Sequence, residues 1–160
     1  MCTGVSASLS IRSARPGDEV VLFELIQELA HFEHLTHQVT GSPSALARDL
    51  FGERPAAEAL VAERDGRALG FALFFTTYST FLTRSGLYLE DLYVRESERG
   101  QGIGKALLER LIELARERGA GRLEWSVLDW NANAIAFYEK MGATVLPDWR
   151  ICRVTFSDKP

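Results

Sequence analysis

Two cysteines in 160 residues, Cys2 and Cys152, stand at opposite ends of the chain and offer no basis for a disulfide framework. No apolar run approaches the roughly 20 residues that a bilayer-spanning helix needs. The opening residues lack the charged-then-apolar pattern of a secretory signal, so the expected location is cytoplasmic. Excess positive charge is missing too: 18 Lys and Arg against 22 Asp and Glu leave a net charge of −4, which argues against a nucleic-acid-binding surface. Internal repeats, low-complexity tracts and linkers are absent. What remains is an ordinary globular composition, 46% hydrophobic and 25% charged, in a chain long enough to bury a proper core. The expected organisation is a loose tail over residues 1–7 and a single domain over 8–160.

The richest stretch is Leu87 to Leu108, LYLEDLYVRESERGQGIGKALL. Tyr88 to Val94 is aromatic or aliphatic apart from Glu90 and Asp91, and reads as a strand. Gly100, Gly102 and Gly104 follow, and from Ile103 a helical period sets in through Leu107, Leu108, Leu111, Leu114 and Ala115. A helix start behind a Gly-rich turn is an anion site well suited to a pyrophosphate. The Lys-Ser/Thr of a P-loop is missing, and the glycine spacing is not that of a dinucleotide fold.

Around this stretch the pattern predicts a strand at Leu9–Ile11 and a helix N-capped by Asp18 with Val21, Leu22, Leu25, Ile26, Leu29 and Phe32 on one stripe. A short helix over Ser42–Phe51 comes next. Strands over Ala59–Ala62 and Leu69–Thr77 are joined by the hairpin signal Asp65-Gly66, and Tyr78 to Gly86 reads as a polar loop. The Ile103–Arg118 helix precedes a strand at Leu123–Leu128, a helix at Asn131–Met141 and a last strand at Trp149–Phe156. Hairpins and crossovers together make this an α/β protein with a mixed sheet. His31, His34 and His37 recur every third residue; solvated or substrate-side histidines are favoured over a metal site, because three-residue steps drift around a helix and no cysteines cluster nearby.

Arg99-Gly100-Gln101-Gly102-Ile103-Gly104 behind a strand ending in valine resembles the acyl-CoA pyrophosphate loop of the GNAT acetyltransferase superfamily. IQELAHFE at Ile26–Glu33, Phe51-Gly52-Glu53, Tyr88–Val94, Leu128–Asn131, Phe137-Tyr138, Gly142-Ala143 and Trp149-Arg150 resemble the diamine (spermidine/spermine) acetyltransferases. The resemblance is nearer still to their thialysine N-acetyltransferase branch, over about Ile11 to Trp149. It implies a GNAT fold, with a mixed, mostly antiparallel sheet of about six or seven strands flanked by about four helices. It also implies acetyl-CoA as co-substrate with no metal, a small-molecule amine as the other substrate, and a homodimer. By the same resemblance Leu92, Tyr93 and Val94 would meet the pantetheine arm. Gly100, Gln101, Gly102, Ile103, Gly104 and Lys105 would bind the pyrophosphate with Arg99, and Asn131, Ala132, Asn133 and Ala134 would line the arm. Phe32, Glu33, Glu124, Trp125 and Ser126 match substrate-contacting positions. Where the polyamine enzymes carry an Asp in the loop before the central strand, this chain has Ser79, which fits thialysine better than a polyamine.

Acetyl transfer to an alkyl amine must first remove a proton held with a pKa near ~10.4, a cost of roughly 4–5 kcal/mol at pH 7. Glu90, mid-strand among residues expected to be buried, is either a base or half of a structural ion pair; the family's matching Glu is the proposed base. Asp91 is expected on the opposite face by strand alternation, as a substrate anchor or a structural group. The departing thiolate needs an acid held close, and Tyr138, on the helix face of Asn131 and Ile135, is either that acid or a core tyrosine. The resemblance assigns the acid role to the matching Tyr. The alternatives to a thialysine or lysine-like substrate are a polyamine acetyltransferase and a non-catalytic acyl-CoA-binding module.

Overall fold

The computed structural model describes residues 7–157; of the tail expected over residues 1–7, residues 1–6, Cys2 included, lie outside the described residues, as do residues 158–160. Contacts cluster into two compact units, one ending at Ser126 and the other beginning at Val127.

The first unit is built on a five-stranded sheet, β1 (Ser10–Ser13), β2 (Glu58–Arg64), β3 (Arg67–Ser79), β4 (Arg84–Val94) and β5 (Leu123–Trp125), in that spatial order. The first three pairings are antiparallel and β4 runs parallel to β5. Asp65 and Gly66, at φ of 53° and 72°, make the primed turn that their sequence demands between β2 and β3. Helix α1 (Glu19–Phe32) buries Leu22 and Leu25 against Val61, Phe71 and Leu73. Helix α3 (Ile103–Glu117) buries Ile103, Leu107, Leu108, Leu111 and Ala115, the periodic face read from the sequence. Helix α2 (Pro43–Phe51) starts as its sequence suggests, with Pro43 in the first turn and Ser42 Oγ accepting from Ala45 N–H at 3.2 Å.

Asp18 stands at the N-cap of α1 but does not cap it with its side chain. Its carboxylate takes Arg12 at 2.7 and 3.0 Å and the Arg15 amide at 2.8 Å, and these partners lower its pKa despite partial burial. At the other end of α1, His34 adopts φ 60°. The Leu35 and His34 amides there reach back to Ala30 and His31 carbonyls at 2.8 and 3.1 Å, a Schellman closure with histidine in the left-handed position. His31, His34 and His37 are exposed, and no metal-binding group of side chains forms among the described residues.

Two expectations for strands are corrected. Tyr78–Gly86 is mostly strand: β3 continues to Ser79 and β4 begins at Arg84, because Thr83 takes a positive φ of 50° and closes a tight hairpin. The expected last strand, Trp149–Phe156, does not form, and β5 stops at Trp125 rather than Leu128, so the described residues hold five strands instead of six or seven. A strand exists only as half of a ladder, and the alternating Ile151, Val154 and Phe156 side chains stay exposed without one.

The second unit contains α4 (Ala132–Lys140), capped by Asn131 Oδ1 accepting the Ala134 amide at 3.2 Å and stopped at Gly142, φ 92°. No described helix is long and apolar enough to cross a membrane.

Candidate active site

The site in the first unit follows from one irregularity of β4. Leu73 pairs with Asp91 while the next residue, Phe74, pairs with Leu89, so Glu90 is an extra residue in the ladder, a β-bulge. The bulge explains two departures from the sequence reading. Glu90 is exposed, not buried, because it is pushed out of the pairing. The two-residue alternation that was to put Asp91 on the opposite face is interrupted at this point.

Beyond the bulge the strand loses its second neighbour. β5 pairs with β4 only from Leu87 to Leu89, whereas β4 continues to Val94 beside β3 alone. Backbone direction can be counted along the strand. The Leu87 amide donates to Arg122 C=O on the β5 side at 3.1 Å, and the Arg95 amide donates to Leu69 C=O on the β3 side at 2.8 Å. Stepping back by twos from Arg95, Tyr93 and Asp91 turn to β3, so Leu92 and Val94 present their amides to the side where β5 has ended. Among the described residues no strand pairs with that row, whose amides can take an amide-bearing chain. Arg99 Nε already reaches Val94 C=O there, at 3.0 Å.

Around the bulge three carboxylates influence one another. Asp91 is half-buried, and burial first, then the charges of Glu90 and Glu33, push its pKa up to about 7. Glu33, at the C-cap of α1, is also raised, by burial. The helix is held to β4 by Arg95, whose guanidinium pairs with Glu28 and lies 3.9 Å from Glu24, while Tyr93 Oη donates to Glu28 at 3.3 Å. Phe32, 40% exposed, stacks under Arg99 with the guanidinium 4.6 Å from its ring centroid, and Tyr93 lies 5.4 Å from the same cation.

At the end of β4 the chain turns through Gly100 and Gly102, φ 77° and 79°, into α3. Only glycine takes those angles without strain. A Cβ built on either would meet nothing within 4 Å, so the space over the loop is open. No side chain caps α3, leaving the first amides of the helix to an outside acceptor. Open space, bare amides and Lys105 on the first turn fit a pyrophosphate. Gly104 is less exacting: a Cβ there would meet only Val94 Cγ2, at 3.7 Å, an ordinary van der Waals contact.

Other sequence-derived candidates are occupied with structural work. Glu124 pairs with Arg122 at 2.7 Å, and Ser126 Oγ shares a 2.7 Å hydrogen bond with Tyr88 Oη. Trp125 is half-buried on β5. Ser79 is 7% exposed, and its Oγ accepts the Leu82 amide at 3.2 Å, closing the β3–β4 hairpin. In the second unit, Asn131 is used as a helix cap, Ala132 and Asn133 are exposed on the first turn of α4, and Ala134 is half-buried. Tyr138 is half-buried there beside Phe137, ring centroids 5.4 Å apart. Sequence reasoning missed Arg64 and Glu98, which bond Gln101, and Arg67, which pairs with Glu98; their charge pairing leaves no local motif.

Comparison with known proteins identifies the family. Residues 23–143 match the Acetyltransferase (GNAT) family. A thialysine N-epsilon-acetyltransferase of Mus musculus is 40% identical over 89% of this chain and 88% of its own length. An L-ornithine N5-acetyltransferase of Arabidopsis thaliana is 35% identical over 96% of this chain and 87% of its own. Among solved structures, an integron cassette protein from the mobile metagenome of V. cholerae superposes with a TM-score of 0.78 at 25% identity, covering 93% of both chains.

Proposed function

The chain belongs to the GNAT acetyltransferase family, and from that premise we propose that it moves the acetyl group of acetyl-CoA onto the side-chain primary amine of a thialysine-, lysine- or ornithine-like amino acid. The observation that carries this reading is the construction of β4. One end offers three interacting carboxylates, the other an uncapped helix start, and an unpaired backbone edge joins them. A cation and a polyphosphate therefore have recognition sites at the two ends of one strand.

In this reading the amides of Gly100 to Lys105 hold the pyrophosphate, with Arg99 adding charge, and the Leu92 and Val94 backbone pairs with the amides of the pantetheine arm. The Leu92 N–H polarises the thioester carbonyl. Asn131 to Ala134 line the arm. Glu33, Glu90 and Asp91 draw in the substrate ammonium. Its proton passes to a carboxylate, directly or through a water, as the amine nitrogen attacks the carbonyl carbon. A base works best with a pKa near the operating pH, which favours Asp91 as the final proton acceptor and gives the exposed Glu90 the role of relaying through water. As the C–S bond breaks, Tyr138 gives its phenolic proton to the thiolate, and the second proton shed by the acylated nitrogen restores the phenol. A homodimer belongs to the same reading, and light scattering at twice the chain mass would support it.

A polyamine reading has one feature in its favour, since three carboxylates could hold more than one ammonium. Against it, Ser79 stands where the polyamine enzymes have an acid, and its hydroxyl is already engaged in the hairpin. The deciding experiment measures CoA-thiol release with thialysine, ornithine and spermidine at matched concentrations. Preference for the amino acids is expected; preference for spermidine overturns the assignment of substrate.

A further inference from the structure

The β2–β3 turn brings two arginines to the phosphate loop from a part of the chain remote in sequence. Arg64 and Arg67 close the hairpin opposite each other. Two like charges at such a position repel unless a counter-ion lies between them. Glu98 supplies it, with a side chain only 16% exposed, 3.1 Å from Arg67 and 4.0 Å from Arg64. Gln101 completes the cluster: its Oε1 accepts from Arg64 at 3.1 Å and its Nε2 donates to Glu98 at 3.3 Å.

The place of Gln101 gives this cluster its meaning. It lies between Gly100 and Gly102, both at positive φ and both without a side chain, so it is the one residue of that turn that can be anchored. Glu98, for its part, is a carboxylate just ahead of an anion-binding loop. Left alone it would oppose any phosphate bound there; flanked by two arginines, the trio carries a net positive charge.

We propose that Arg64 and Arg67 are positioning residues for the phosphates of the acyl-CoA donor. They fix the loop through Gln101 and cancel the field of Glu98, without themselves taking part in acetyl transfer. The proposal rests on the acetyl-CoA reading of the loop and extends it to a hairpin outside the loop motif.

The test combines equilibrium binding of CoA with steady-state kinetics on the full chain. Arg64→Ala and Arg67→Ala each raise the Kd for CoA and the KM for acetyl-CoA by about three- to tenfold, and the double variant by about ten- to thirtyfold. In all three, kcat and the KM for the amine stay within twofold. Glu98→Gln added to the double variant recovers a large part of the lost affinity, whereas Arg67→Lys alone stays near wild type. Gln101→Ala weakens CoA binding in the same way as Arg64→Ala, and the two effects are not additive. Unchanged CoA affinity in the double variant, or a fall in kcat that accompanies the rise in KM, overturns the proposal. Wild-type protein that fails to bind CoA overturns the acetyl-CoA reading itself and this proposal with it.

Discussion

The two ends of β4 solve opposite problems with different parts of the chain. In the proposed reading, recognition of a cation at the bulge depends on side chains: Glu33, Glu90 and Asp91 come from a helix end and two neighbouring strand positions, and burial, then the charges of Glu90 and Glu33, push the pKa of Asp91 up to about 7. In the same reading, recognition of an anion at the loop depends on the backbone, through bare amides and glycines whose left-handed angles aim them. Side-chain recognition is tunable by neighbours and sensitive to pH. Backbone recognition is set by conformation and responds to whatever restricts φ and ψ. The comparison can be broken at either end.

The largest effect is expected from Asp91→Asn, which removes the group with matched proton affinity. Turnover should fall by about 10²–10⁴ while CoA binding stays near wild type. A loss no larger than that of Glu90→Gln would return the base role to Glu90. Tyr138→Phe belongs beside it, with a loss of kcat and little change in either KM.

At the opposite end, Gly102→Ala forces an L-residue to φ 79° and should raise the KM for acetyl-CoA by about tenfold, leaving the amine KM alone. A parallel change in both KM values would mean that the two ends are not separable.

A smaller effect sharpens the acidic end. Glu33 helps hold the Asp91 pKa up, so Glu33→Gln should move the ascending limb of the kcat/KM profile from near pH 7 to lower pH. A limb that stays in place would detach Glu33 from Asp91.

The smallest effect is thermodynamic. A carboxylate whose folded pKa is raised binds its proton more tightly when folded, so its contribution to stability is present below pH 4 and disappears as pH rises through about 7. Asp91→Asn is free of that loss. Its melting temperature should match wild type near pH 4 and exceed it by roughly 2–6 °C at pH 8. Equal melting temperatures at both pH values would show that Asp91 is not raised by its surroundings.

Much of this was readable from local sequence. The periodic face of α3, the Asp65-Gly66 turn, the Ser42-Pro43 start of α2 and the glycine angles before α3 are decided by steric and hydrogen-bonding rules that act over a few residues. The family resemblance likewise rests on contiguous motifs. The bulge at Glu90 was not readable, because it depends on how β3 pairs with β4, and neither strand carries the register alone. Once the bulge exists, Glu90 moves out to solvent and Asp91 is left half-buried beside it, its pKa raised by burial first.

The same distinction separates the remaining successes and failures. Sequence by itself determined the order of helices and strands up to Trp125 and the glycine-rich turn into α3, since propensity, periodicity and glycine geometry are properties of short segments. Tertiary structure alone decided that Ser79 closes a hairpin, that Trp149–Phe156 forms no strand, and that Arg64 reaches Gln101 while Arg67 pairs with Glu98. Ladders, burial and charge pairing all require a partner from elsewhere in the chain, and no local stretch of sequence names its partner.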